Sequence, residues 1–206
     1  MNDPREKFIT QFSVSCETEK KLLVYEEMLK KWQNKINLIS NSTINEIWER
    51  HFFDSAQLIK FIPHGTIKLL DLGSGAGFPG IILSIMGVDE VLLVESDKRK
   101  AIFMSEVGRN LGLNIKIINE RIENVAPFKV DIITARALSN TKELLFYCKN
   151  FIQSSPNLRA LFLKGENLAK ELEEVKDLSE FYVDKINSYP SLTYKNSKIL
   201  EITFKA

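Results

Sequence analysis

The 206-residue sequence holds little of several features that would fix its class at once. It has two cysteines, Cys16 and Cys148, with no second cysteine near either. That excludes a CxxC site and points to reduced packing residues of a cytosolic protein. It has no surplus of one charge: 28 Lys+Arg against 27 Asp+Glu leave a formal net charge of +1. No global basic field therefore advertises a nucleic-acid partner, and any such partner must be held by a local patch. It has no long hydrophobic segment either. The uncharged apolar run from Phe78 to Val88 is far below the roughly 20 residues of a membrane helix. The N-terminal MNDPREKFITQF is polar and lacks signal-peptide architecture, so no membrane partner is expected. Repeats, low-complexity tracts and Pro/Gly/Ser linkers are also missing, which argues against several independent domains.

What remains is a chain with 44% hydrophobic residues, enough to bury a core. From Glu17, the positions Leu22, Tyr25, Leu29, Trp32 and Ile36 step by three and four, which predicts one helix face. A second helix is predicted with Ile44, Ile47, His51, Ser55, Leu58 and Ile62 on one side, ended by Pro63 and Gly65. The pattern then changes to short, nearly continuous apolar runs at 67–73, 91–96, 115–118, 130–135 and 158–164. Helix-like stretches fall between them, notably Asp97 to Leu111 and Asn140 to Phe151. Strands buried on both faces with helices between them mean a parallel α/β sheet. Phe181 to Lys185 and Lys198 to Lys205 read as a closing antiparallel pair. The expected architecture is an N-terminal helical cap, residues 1–64, on a Rossmann-like doubly wound α/β core, residues 65–206, forming one compact unit.

The first strand runs into LLDLGSGAGFPG, residues 69–80. Gly73, Gly75 and Gly77 spell G-x-G-x-G, while Gly75, Gly77 and Gly80 spell G-x-G-x-x-G. The first pattern suggests S-adenosylmethionine and the second a dinucleotide. Asp71 favours the former. At about 5 Å and an effective dielectric near 20, a carboxylate repels a unit negative charge by roughly 3 kcal/mol, whereas a sulfonium and an amino group are attracted. Pro79 lacks the N–H that a phosphate-binding helix terminus supplies. Glu95, at the end of the second strand, suits the hydroxyls of a ribose and fits either nucleoside cofactor.

The end of the fourth strand reads ITARALS. It carries neither the Asn/Asp-Pro-Pro-aromatic tetrad of amino-group methylation nor the Pro-Cys pair of pyrimidine carbon-5 methylation, and offers Arg136 instead. An acceptor with a free lone pair, such as purine N7, needs no base, only alignment, which can supply roughly 7–11 kcal/mol.

LLDLGSGAGFPG, with INLIS (36–40), RHFFDS (50–55), RIE (121–123), ARA (135–137) and LKG (163–165), resembles the bacterial small-subunit rRNA guanine-N7 methyltransferase family, RsmG, formerly glucose-inhibited division protein B. The resemblance runs in order from about Leu22 to Lys205. It implies a class I S-adenosylmethionine-dependent methyltransferase acting on 16S rRNA or a small-subunit ribonucleoprotein particle, as a cytoplasmic monomer. It implies that Gly73 and Phe78 border the cofactor, that Ile122 and Glu123 close on its adenine, and that Glu95 lies near its ribose. Arg136 would lie where cofactor and guanine meet, with Asn37, His51 and Arg121 as further polar pocket positions. The family's basic residue in the C-terminal hairpin, usually arginine, corresponds best to Lys198, with Lys195 nearby; lysine cannot make the bidentate contact of arginine.

Structural readings stand beside these. His51 falls on an apolar helix face, where Asp54 could orient its ring by an i,i+3 contact, and Asn37 could simply end its helix. Lys98, Arg99 and Lys100 open a helix where cations are disfavoured. The near-neutral charge suggests a shape-recognised particle bound through a modest patch of Arg121, Arg136 and Lys164, with a gentle salt dependence. An NAD-dependent oxidoreductase and a non-catalytic nucleoside-binding module are the competing functions.

Overall fold

The computed structural model describes residues 3–175 and 177–205. Two helices open the chain. Helix α1 (Pro4–Phe12) is capped by the Asp3 side chain and has proline in its first turn. Helix α2 (Cys16–Gln33) is capped by Ser15, with Glu17 and Glu19 in its first turn and Lys30 and Lys31 in its last, matching the helix dipole at both ends. It buries Leu22, Tyr25 and Leu29 of the predicted stripe, while Trp32 is half-buried and the helix ends at Gln33, short of Ile36.

The second predicted helix is not continuous. Residues 41–61 form a 3-10 turn (Asn41–Glu46), a π-helical turn (Trp48–Phe53), one α-turn, α3 (Asp54–Ala56), and another 3-10 turn (Gln57–Phe61). The cause lies in RHFFDS and its neighbours: Trp48, His51, Phe52 and Phe53 are all buried, more inward side chains than one regular helix face holds. A widened π-turn admits them.

The sheet has seven strands in the order β3-β2-β1-β4-β5-β7-β6. Strands β1 (Lys68–Leu72), β2 (Glu90–Val94), β3 (Ile115–Ile118), β4 (Ile132–Arg136) and β5 (Arg159–Lys164) are parallel, and β7 (Lys198–Phe204) runs antiparallel between β5 and β6 (Val183–Pro190). Each parallel strand falls on one of the apolar runs. Strand β6 extends five residues past its predicted end at Lys185, because KINSYP is a half-exposed edge with no continuous apolar signal. Helices α4 (Gly80–Ile85), α5 (Lys98–Leu111), α6 (Thr141–Ile152) and α7 (Leu168–Glu174) complete the layers.

Two apolar clusters cover the two sheet faces. One unites Phe8, Tyr25 and Phe52 of the N-terminal segment with Leu69, Ile81 and Phe103. The other joins Leu70, Ile133 and Phe162 to Leu144 and Phe151 of α6. The N-terminal helices thus share a core with the sheet, and Tyr25 reaches across to donate its hydroxyl to the Ala76 carbonyl at 2.6 Å. That bond fixes the glycine loop against the cap.

Candidate functional site

A cavity of about 390 Å³ opens at the carboxyl ends of β1, β2 and β4, the switch point where such sheets bind ligands. Its size lies within the range of small-molecule sites. The turn after β1 forms one wall. Gly73 (φ +63°) and Gly75 (φ +59°) take left-handed conformations that favour glycine. A Cβ on Gly73 would sit 2.4 Å from Cδ1 of Leu138, while one on Gly75 would meet only the Gly73 carbonyl at 3.9 Å. Backbone and ligand can therefore approach closely at Gly75, while Leu138 packs against Gly73.

Glu95 ties the wall to β2. Its Oε2 accepts from the Gly75 amide and its Oε1 from the Asp97 amide, both at 2.8 Å. Each oxygen keeps a free lone pair, so the same carboxylate can hold the loop and accept from ribose hydroxyls.

Asp71 does not face the cavity, which corrects its expected direct contact with the cofactor. It is fully buried beneath the turn, accepting from the Thr134 hydroxyl at 2.7 Å and from the Gly80 amide at 3.4 Å. Burial raises its pKa to about 6, against the opposing hydrogen bonds. Gly77 is likewise structural: a Cβ there would strike Ile81 and the Tyr25 hydroxyl, on the core side. The dinucleotide reading fails on the amides. Those of Ser74, Gly75, Gly77, Phe78 and Gly80 are bonded to Val94, Glu95, Ser74, Ser74 and Asp71, and Pro79 has none. Little is left in this turn to cradle a pyrophosphate.

Ile122 and Glu123 line the opposite side with Arg121. Glu123 accepts from the Tyr147 hydroxyl at 3.2 Å, and Tyr147, which also donates to Glu143, lines the cavity too. Burial first, then the Glu143 and Glu123 carboxylates, push the Tyr147 phenol up. Leu38, Leu138 and Tyr147 were not among the predicted site residues. Their only sequence signals are helical or apolar spacing, which a core position shares.

Arg136 closes the cavity at the end of β4. Its Nη1 donates to the Arg50 carbonyl at 3.1 Å, its Nη2 to Nδ1 of His51 at 2.9 Å, and its guanidinium lies 4.7 Å from the Phe78 ring centroid. His51 stacks on Phe78 at 5.1 Å and contacts Thr43 Oγ1 through Nε2 at 2.9 Å. The expected His51–Asp54 contact is replaced: Asp54 faces Arg136, with Oδ2 3.6 Å from Nη1. His51 is buried, outside the cavity lining, and meets the site only through its bond to Arg136 and its stacking on Phe78.

The remaining residues separate. Arg121 is exposed at the rim. Asn37 is exposed and accepts from Gln33 at 3.3 Å, next to the lining residue Leu38. Lys198 lines a smaller cleft of about 150 Å³ on the far side of Arg136, together with Asp54 and Tyr194, while Lys195 is exposed. Lys164 borders the same cleft, but its ammonium is buried and spent on Glu171 at 2.6 Å and the Ser139 carbonyl at 2.9 Å. The expected RNA-binding patch is therefore corrected, since Lys164 and Arg136 are both paired inside the protein. At the start of α5, Asp97 caps the helix and pairs with Arg99 at 3.0 Å, which offsets one of the three cations there. Among the described residues no cluster of His, Cys, Asp or Glu could hold a metal ion, and no helix is long and apolar enough to cross a membrane.

The cavity fits S-adenosylmethionine. Glu95 offers acceptors for a ribose, Ile122 an apolar surface for a base, and Gly75 a stretch of wall with no side chain against it. The fold agrees with solved methyltransferases. Magnesium protoporphyrin IX methyltransferase from Synechocystis, with bound S-adenosylmethionine, superposes with a TM-score of 0.61 at 11% identity, over 88% of this chain and 97% of that one. A methyltransferase from Aquifex aeolicus, titled as dependent on the same cofactor, gives 0.59 at 16% identity, over 87% and 98%. The sheet is that of a class I S-adenosylmethionine-dependent methyltransferase.

Sequence relatives are closer. The ribosomal RNA small subunit methyltransferase G of Rhodospirillum centenum is 42% identical over 196 residues, 95% of this chain and 88% of the relative. That of Paramagnetospirillum magneticum is 45% identical over 167 residues, 81% and 80%. The family described as rRNA small subunit methyltransferase G matches residues 18–200. With the glycine wall, the Glu95 clasp and the Arg136 closure all falling inside that match, the chain belongs to the rRNA small subunit methyltransferase G family.

Proposed function

We propose that this protein methylates N7 of a guanine in small-subunit (16S) rRNA, using S-adenosylmethionine. Its substrate is the rRNA or a small-subunit ribonucleoprotein particle, and it acts in the cytoplasm as a monomer, residues 1–64 serving as a cap on the catalytic core. The observation that carries the acceptor assignment is the state of the groups around Arg136. His51, the one histidine at this end of the sheet, accepts from Arg136 on Nδ1 and is held far below its ordinary pKa. With Nδ1 held by Arg136 and Nε2 by Thr43, it has no free lone pair to offer as a base. A hydroxyl or amine acceptor would need one, whereas N7 already presents its lone pair.

The cofactor supplies an electrophilic methyl group on a sulfonium. Glu95 orients its ribose, Ile122 and Glu123 border its adenine, and Gly73, Gly75 and Phe78 form the wall along it. Arg136, between the cavity and the Lys198 cleft, directs its remaining N–H groups to the acceptor; Arg121 and Lys198 contact RNA at the two rims, with Asn37 beside Leu38. Alignment is the main catalytic device. Neither a dinucleotide oxidoreductase nor a non-catalytic module has an observation in its favour: the loop amides are spent, and a bare nucleoside sensor has no use for the Arg136 closure.

Transfer of a labelled methyl group to small-subunit particles, followed by digestion to nucleosides, tests the reading. 7-Methylguanosine is expected. Another methylated nucleoside would overturn the acceptor, and cofactor binding without transfer would favour the non-catalytic module.

A further inference from the structure

Arg136 lines both the cofactor cavity and the smaller cleft, with its neighbour Ala137, and is the polar side chain common to the two. Guanidinium has five donors, and its value at such a junction depends on which donors are spent inward and which stay free. The inward partners all come from one short stretch: the Arg50 carbonyl, the His51 ring and the Asp54 carboxylate.

Asp54 is itself held. Its Oδ1 accepts from the Gln57 amide at 2.9 Å and from the Thr193 hydroxyl at 3.0 Å. That fills one oxygen and leaves Oδ2 for Arg136. The holders are fixed in turn. Gln57 is fully buried, and its Oε1 accepts from the Leu192 amide at 2.8 Å, in the loop between β6 and β7. Ser191 and Thr193 of that loop also bond to each other, at 2.7 Å. On the outer side, Arg50 stacks over Tyr194 at 4.5 Å. The loop is thus stitched to residues 50–57 through Asp54 and Gln57, and the stitch ends on the guanidinium.

Charge gives Asp54 a second task. The reaction proposed above starts with a cationic sulfonium and ends with a cationic purine. An uncompensated arginine between the two would repel both, and Asp54 neutralises it.

We infer that Asp54 is the positioning residue of Arg136, aimed by Thr193 and Gln57 from the β6–β7 loop. The inference rests on the methyltransferase reading. Asp54 touches neither the cofactor cavity nor, in this role, the reacting atoms, so its removal should spare cofactor binding and slow transfer.

The test compares Asp54→Asn and the milder Thr193→Val and Thr193→Ser in the full-length protein. Asparagine can still accept from Thr193 and Gln57, yet carries no charge for Arg136. We expect kcat for methyl transfer to small-subunit particles to fall about tenfold or more in Asp54→Asn, with the dissociation constant for S-adenosylmethionine unchanged within about twofold. Thr193→Val should lose part of kcat and Thr193→Ser restore it. A loss of cofactor affinity equal to the loss of kcat, or no loss of kcat, would overturn the inference. A second readout is independent of turnover. In arginine-labelled protein, a clamped guanidinium gives separate Nη1 and Nη2 resonances, and in Asp54→Asn, with only Arg50 and His51 left to hold it, these should shift and exchange faster. If the wild type modifies another nucleoside, or none, the function proposed above fails while the resonances still decide the role of Asp54: unchanged spectra would refute it.

Discussion

The Nη2 of Arg136 donates to Nδ1 of His51 at 2.9 Å, and this one bond sets the histidine's tautomer. Arginine has no lone pair to accept with, so Nδ1 is bare and the ring proton sits on Nε2, donated to Thr43 Oγ1. The Thr43 hydroxyl in turn donates to the Ser40 carbonyl at 2.8 Å. The chain of donors runs one way, from the guanidinium outward to the backbone. A second proton on His51 would face Arg136 directly.

The pH dependence of stability follows from that bond. Burial first, then Arg136 and Arg50, lower the His51 pKa to about 3. Unfolded, the ring takes a proton near pH 6.5. Between those values the unfolded chain binds more protons, so this contribution to stability is present above pH 6.5 and is lost as pH falls toward 3, at up to about 1.4 kcal/mol per pH unit. His51→Gln, whose amide can still donate to Thr43 and accept from Arg136, should remove that slope. Urea midpoints between pH 7 and 4 would decide, and an unchanged slope in the variant would count against the assignment.

Asp71 contributes with the opposite sign. Its folded pKa, about 6, lies above its ordinary 3.8, so the folded chain binds the extra proton in between. Stability from this group is full below pH 3.8 and is lost as pH rises through 6, by about 3 kcal/mol in all. Asp71→Asn should abolish that component. Because Asp71 lies under the turn, the same variant should change cofactor affinity less than Glu95→Gln does. Isothermal titration with S-adenosylmethionine measures both, and a larger loss for Asp71→Asn would restore a direct electrostatic role.

These two carboxylates show where sequence reading stops. Asp71 and Glu95 both lie at the carboxyl ends of parallel strands, and the sequence singles out both because strand ends in this fold point to the ligand, yet only Glu95 lines the cavity. Which of them faces the ligand depends on the path of the glycine turn, and that path is set by left-handed residues and by hydrogen bonds from remote segments. The parallel strands were legible because burial on two faces leaves continuous apolar runs. The turns of residues 41–61 were not, because a widened π-turn breaks the 3.6-residue period. Lys164 misled for a third reason: a lysine after a strand looks the same whether it meets solvent or, as here, the Glu171 carboxylate of a later helix.

Removing that lysine should therefore act on stability. Lys164 and Glu171 are 6% and 20% exposed at their side chains. Losing the cation leaves the carboxylate with only the Thr141 amide and hydroxyl, both at 2.7 Å. We expect Lys164→Ala to cost about 3 kcal/mol, the bottom of the range for breaking a buried pair, because Glu171 keeps some solvent contact. The salt dependence of binding to small-subunit particles should stay as in the wild type, whereas Arg121→Ala should reduce its log–log slope by about one. Denaturant titration and salt-dependent binding separate the two residues; a shallower slope in Lys164→Ala would return that lysine to the RNA surface.

Gly73→Ala probes the wall itself. The backbone there has φ +63°, which costs an alanine about 1–2 kcal/mol. The added methyl would also lie 2.4 Å from Cδ1 of Leu138, and overpacking of this kind typically costs another 1–3 kcal/mol or so. Leu138 lines the cofactor cavity, so whatever distance it yields is taken from the ligand. We expect the single variant to lose both stability and affinity for S-adenosylmethionine. Adding Leu138→Ala should recover affinity by removing the clash, while the backbone cost persists in the unfolding free energy. The two losses are thereby separable in one double-mutant cycle. Wild-type affinity in Gly73→Ala would mean that the ligand does not lie along this turn.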